Sequence, residues 1–173
     1  FAGTVRGEVE FGPRNIGLRG AALDAAVRSA LEAVGLSGEE TTNPYDLGAS
    51  RRKLLAVASV LAMGTPVLVL DEPITGQDRV GVARIRHVVA EVRGAGRTVI
   101  AISHDLRFVA ETFERVVVLR AGRVVLDDTP ARAFAAPNWA TLRDTGLEPP
   151  AAAVLASRLG IASVATEDAL VAA

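Results

Sequence analysis

The run Val67-Leu68-Val69-Leu70 constrains this chain more than any other stretch. Four apolar residues in a row, following the Gly64 and Pro66 breaks, leave no polar face, which predicts a short strand buried on both sides in a parallel sheet. A second run of the same kind, Thr98-Val99-Ile100-Ala101-Ile102, lies downstream. Between them Val82, Ile85, Val88, Val89 and Val92 recur at helical spacing, and Gly94 is a stop signal. Strand, helix and strand within about 35 residues make a βαβ unit, with a right-handed crossover and its ligand crevice beyond the C-terminal ends of the strands. The fold class is therefore α/β with parallel strands and crossover helices.

The flanking segments read as helices and one hairpin. A short helix is expected at Thr4–Glu10, broken by Gly12-Pro13. An amphipathic helix starts at Ala22 and ends at Gly35, followed by a polar connector, Ser37–Asn43. Ser50 is placed to cap a helix over Arg51–Met63. Beyond the βαβ unit come a short helix at Leu106–Thr112, strands at Arg115–Arg120 and Arg123–Leu126 around the turn Ala121-Gly122, and a short helix from Thr129-Pro130 through Ala135. The tail, Pro137–Ala173, carries a helix at Ala151–Leu159.

Composition closes off several classes. The 173 residues are 50% hydrophobic and 23% charged, an ordinary globular balance. With no cysteine there is no disulfide, thiolate metal site or thiol nucleophile, which suits a reducing cytosol. A net charge of -1 supplies no global basic field, so nucleic acid is not an expected partner. The longest apolar stretches fall short of the roughly 20 residues that span a bilayer, so any membrane role is expected to be peripheral. The chain opens on Phe1 with no secretory pattern and reads as a cut through something longer.

Three places carry chemistry. Asp71 and Glu72 stand where the first buried strand enters a loop. One carboxylate there can hold Mg²⁺ through oxygen and the other can orient or deprotonate a water; alternatively the pair is a solvated loop or a helix cap. His104, in Ser103-His104-Asp105 after the next strand, can reach the same crevice and donate to a phosphate oxygen, or serve only its own loop. Upstream, Tyr45 through Lys53 runs small residues into a helix start, a geometry suited to anions or simply to capping. His87 is assigned to the helix surface, with nothing in the sequence to pair with it. No G-x-x-x-x-G-K-[ST] occurs, and Lys53, the only lysine, follows no such glycine loop. The 173 residues by themselves are expected to bind Mg·ATP poorly and not to hydrolyse it.

In this order, the small-residue signature, the strand with Asp71-Glu72-Pro73, Thr75-Gly76-Gln77-Asp78, and strand-Ser103-His104-Asp105 resemble the C-terminal part of an ABC-type ATPase. The wording from Asn43 to Gly48, from Leu55 to Ser59 and from Val67 to Asp78 is most similar to the ATPase subunits of energy-coupling-factor (ECF) transporters. The likeness extends to about Pro137. It implies a partial RecA-like core: a helical subdomain over 1–64, the second half of the ATPase core over 65–136, and a C-terminal extension over 137–173. It implies further that Asp71 binds Mg²⁺, Glu72 polarises the attacking water and His104 senses the γ-phosphate of ATP. Gly76, Gln77 and Asp78 would form the D-loop between two ATPase protomers. Leu47, Gly48, Ala49, Ser50 and Arg51 would form the signature that closes over ATP held by the opposite protomer.

The signature departs from Leu-Ser-Gly-Gly-Gln: Gly48 replaces Ser, Ala49 and Ser50 stand where glycines would be, and Arg51 replaces Gln. Ser50 adds a side chain where backbone is expected to approach phosphate. The partners implied are a second ATPase protomer, as homo- or heterodimer, a transmembrane coupling subunit and a substrate-binding membrane subunit. The implied location is the cytoplasmic face of the membrane. The implied function is coupling of ATP hydrolysis to uptake of a vitamin or metal ion. The alternatives are an ABC ATPase of another transporter family, or a non-catalytic module that only docks. Phe1, Val5, Val9 and Phe11 are read either as a groove for the coupling subunit or as the core of the helical subdomain.

Overall fold

Thr4 starts the first element: its hydroxyl accepts the Gly7 N–H at 3.0 Å and caps helix α1, Val5–Asn15. In the computed structural model, which describes residues 2–161 and 164–173, α1 runs through Gly12 and Pro13 instead of breaking there. Pro13 lies two residues before the end of the helix, where its ring removes the N–H that would bond Val9 O. Gly12 opens a notch filled by Met63: a Cβ at Gly12 would lie 2.9 Å from Met63 Cγ. Packing against a distant residue thus overrides a local break signal. Helix α2, Gly20–Val34, ends at Gly35 in the left-handed conformation, as the periodicity predicts. Helix α3 covers Ala49–Leu61 and is capped by Gly48, not Ser50, which lies inside the first turn.

The three helices pack on one another. Val5 and Val9 are fully buried with Leu23, Val27, Leu31 and Leu55, so the first two belong to the core and not to a groove. Phe11 is exposed, and Phe1 lies outside the described residues. Glu40 and Thr42 in the connector accept the N–H groups of Arg6 and Val5 through their carbonyls, tying the connector to the start of α1.

Strand β1, Val67–Asp71, helix α4, Arg79–Gly94, and strand β2, Thr98–Ile102, form the expected parallel unit, with Leu70 opposite Ala101 and Asp71 opposite Ile102. Their burial departs from expectation. Leu68 and Leu70 are buried, as are Ile85, Val88, Val89 and Val92 of α4, whereas Val67, Val69, Ile100 and Ile102 are 44 to 58% exposed. An apolar run reads the same whether one face or both are covered, and here the strands alternate. His87 also differs from expectation: its Nε2 lies 3.3 Å from Glu91 Oε1, one turn along α4.

Residues 103–173 form a second compact unit, the first ending at Ile102. Helix α5, Leu106–Thr112, has the predicted bounds and is capped by Asp105, whose carboxylate accepts the Phe108 N–H at 2.8 Å. Strands β3, Val116–Arg120, and β4, Arg123–Asp128, pair antiparallel through Ala121-Gly122. Among the described residues the α-helices that follow are α6, Pro130–Ala133; α7, Trp139–Asp144; α8, Ala151–Arg158; and α9, Glu167–Val171. The core of this unit gathers Leu106, Val116, Val118, Phe134, Leu142 and Ala153. Among the described residues no helix is long and apolar enough to cross a membrane.

Candidate functional site

The loop after β1 is where the sequence places its chemistry. Asp71 closes the strand with an exposed side chain, and no hydrogen bond or ion pair to its carboxylate is found among the described residues. Glu72 follows with φ +45, a left-handed conformation that costs an L-residue roughly 1–2 kcal/mol. Its N–H donates to Ile102 O at 2.9 Å, continuing the ladder one step past the strand. Its carboxylate Oε2 accepts the Thr75 hydroxyl at 3.0 Å, and the Thr75 N–H donates to Glu72 O at 3.3 Å. Gly76, at φ +72, turns the chain toward Gln77 and Asp78. Asp78 caps α4, its Oδ1 accepting the Gly81 N–H at 2.7 Å.

The signature residues meet this loop. Leu47 is buried, and Gly48 and Ala49 are exposed at the start of α3. The Ser50 hydroxyl, which the sequence puts toward a cap or a phosphate, instead donates to Gln77 Oε1 at 2.6 Å, and Gln77 Nε2 donates to Ser50 O at 3.2 Å. Gly81 makes room for this pair: a Cβ there would overlap the Gln77 carboxamide oxygen. Arg51 pairs with Glu39 at 2.8 Å. The Glu39 carboxyl is held below its usual range first by the Thr42 hydroxyl, then by hydrogen bonding to Arg51 and its positive charge.

Two side chains were missed by sequence reasoning. Lys53 donates to Glu72 O at 2.9 Å and Thr75 O at 2.7 Å, and the Thr75 hydroxyl anchors the Glu72 carboxylate. Spacing gives a partial signal, since Ser50 and Lys53 stand three apart and so share one face of α3. The structure therefore bonds Glu72, Thr75 and Gln77 of the loop to Ser50 and Lys53 of α3, with Asp71, Gly76 and Asp78 beside them in the chain. His104 is exposed in the second unit, between Ser103 and Asp105, where the Ser103 hydroxyl accepts the Asp105 N–H at 3.2 Å.

Among the described residues no group of three or more His, Cys, Asp or Glu could cage a metal. An exposed carboxylate beside a second one fits a different donor set: Mg²⁺ commonly takes one or two carboxylates and completes its shell with water and substrate phosphates.

The fold and this order of motifs are similar to those of ABC-type ATPases. More narrowly, the chain is similar to the ATP-binding proteins of energy-coupling-factor transporters. It is 40% identical over 160 residues to the energy-coupling factor transporter ATP-binding protein EcfA2 of Symbiobacterium thermophilum, covering 92% of this chain and 55% of that one. To EcfA of Methanothermobacter thermautotrophicus it is 37% identical over 162 residues, covering 94% and 51%. The structure of CbiO1 from Clostridium perfringens, part of the ABC transporter complex cbiONQ, superposes with a TM-score of 0.70 at 31% identity, covering 84% of this chain and 58% of that one. No family model matches the sequence. The chain spans about half the length, or less, of the curated relatives it matches.

Proposed function

We propose that these residues are the part of an ECF-type ATP-binding subunit that hydrolyses ATP bound between two protomers and drives uptake of a vitamin or metal ion. On this reading residues 1–64 are the helical subdomain with the signature, 65–136 the second half of the ATPase core, and 137–173 a C-terminal extension. The partners are a second ATPase protomer, a transmembrane coupling subunit and a substrate-binding membrane subunit, at the cytoplasmic face of the membrane.

The observation that carries the proposal is the pair of carboxylates at the end of β1, one exposed and without a partner among the described residues, the other anchored by the Thr75 hydroxyl. Asp71 would hold Mg²⁺, which when bound draws charge from the phosphate oxygens. Glu72 accepts the proton of a water at one carboxylate oxygen while the Thr75 hydroxyl steadies Oε2. His104 donates an imidazole N–H to a phosphate oxygen. Leu47 through Arg51 and the loop Gly76–Asp78 face the partner protomer's nucleotide.

The test is Glu72→Gln in the native-length protein within its membrane complex. The amide keeps the shape and cannot take the proton, so turnover is expected to fall roughly 10²–10⁴-fold with ATP binding retained. Turnover at the wild-type rate removes Glu72 from the chemistry and this reading with it.

A further inference from the structure

Lys53 is the only lysine in the chain, and its ammonium is spent on backbone. It reaches across from α3 to Glu72 O at 2.9 Å and Thr75 O at 2.7 Å, the first and last residues of the turn after β1. An ammonium carries three donors, and bonds from a charged donor are stronger than neutral ones. Glu72 needs such support, because φ +45 is disfavoured for a residue with a Cβ and persists only where the surroundings over-determine it. Three bonds do so: Ile102 O accepts the Glu72 N–H, Lys53 holds the Glu72 carbonyl, and the Thr75 N–H bonds the same carbonyl from within the turn.

The conformation has a consequence for the side chain. In a left-handed residue the Cβ departs from the backbone in a direction that a continued strand would not give it, so the carboxylate's aim depends on the carbonyl staying where Lys53 holds it. A second brace sits one helical turn back. Ser50 and Gln77 exchange two hydrogen bonds, at 2.6 and 3.2 Å, and fasten the far end of the loop to the same helix face. The serine that departs from the glycine of the usual signature is thus occupied by the glutamine of the loop.

We propose that Lys53 is a positioning residue for Glu72: it clamps the 72–75 turn to the signature helix, aims the carboxylate, and with Ser50 and Gln77 makes that helix and the loop move as one. The inference rests on the reading of Glu72 as the water-activating base.

The experiment compares Lys53→Met and Lys53→Arg in the native-length protein within its complex, reading kcat and KM for ATP together with hydrogen exchange at the Thr75 and Gln77 amides. Lys53→Met keeps the stem and loses every donor. It is expected to lower kcat by on the order of 10²-fold, the scale of a misplaced reacting group, with KM nearly unchanged and faster exchange at both amides. Lys53→Arg, which can still donate to both carbonyls, is expected to recover most of kcat. Lys53→Gln retains one donor capable group, should fall between them, and reads the same signals if the Met variant is recovered poorly.

The proposal is overturned if Lys53→Met leaves kcat and amide exchange at wild-type values, or if kcat falls only in step with global unfolding and Lys53→Arg restores nothing. Failure of the underlying reading looks different, because there Glu72→Gln itself turns over at the wild-type rate.

Discussion

Two residues with a Cβ adopt positive φ among those described, Glu72 at +45 and Ala121 at +48, and they do so for different reasons. Ala121 precedes Gly122, at φ +76, in the two-residue link between β3 and β4. Two positive φ values in succession are what a tight hairpin needs to match the twist of its strands, so the conformation is set by neighbours in sequence. Glu72 has no hairpin to close. Besides the Thr75 N–H within its own turn, its conformation is held by Ile102 and Lys53, residues of a neighbouring strand and a separate helix. A strained hairpin turn can be built from local sequence alone, whereas a strained residue outside a hairpin, held by distant groups, signals that other parts of the fold require it there.

The largest expected effect tests the platform beneath Glu72. Leu68 is fully buried, and Leu68→Ala is expected to cost about 2–5 kcal/mol of stability in a denaturant melt. A cost well under 1 kcal/mol would mean that β1 does not hold the loop rigidly, and the contrast with the hairpin would lose its basis. A smaller effect separates the two residues directly. Ala121→Gly is expected to stabilise by about 0.5–1 kcal/mol, relief of strain being partly offset by glycine's greater unfolded-state entropy. Glu72→Gly receives the same relief but loses the Thr75 hydroxyl's acceptor, a bond worth about 1 kcal/mol, so its net gain should be near zero. Equal gains in thermal melts at both positions would erase the distinction.

The smallest effect concerns the hairpin. Asp127 accepts two hydrogen bonds from Arg115, at 2.8 and 2.7 Å, and these, more than the charge itself, hold its carboxyl below the usual range. A depressed folded-state value means the pair's contribution is present above the unfolded pKa of about 3.9 and is lost as pH falls through the folded value. Both side chains are exposed, so the contribution is small. The Tm difference between wild type and Asp127→Asn should therefore be slight at neutral pH and vanish in acid. A difference that persists unchanged in acid would show that the pair acts by shape and not by charge.

The elements that periodicity and caps control were legible in sequence. The α/β class, both parallel strands, the stop at Gly35 and the bounds of α5 all follow from residues within a turn or two of one another. The carboxylates at the end of β1 were legible for the same reason. What lay hidden depends on distant partners. Ser50 looks like a cap until Gln77 arrives from the next loop, Gly12-Pro13 looks like a break until Met63 fills the notch, and Lys53 has no motif of its own. The open face carrying Val69 and Ile100 could not be told from a covered one, and α7 and α9 are too short to show a period.

The lone lysine of these 173 residues is also a built-in chemical probe. Acylating and alkylating reagents attack the neutral amine, and the Lys53 nitrogen is held between two carbonyl oxygens. Its rate of modification would therefore time the opening of the turn beside Glu72 at a single identifiable peptide, with no label introduced by mutation.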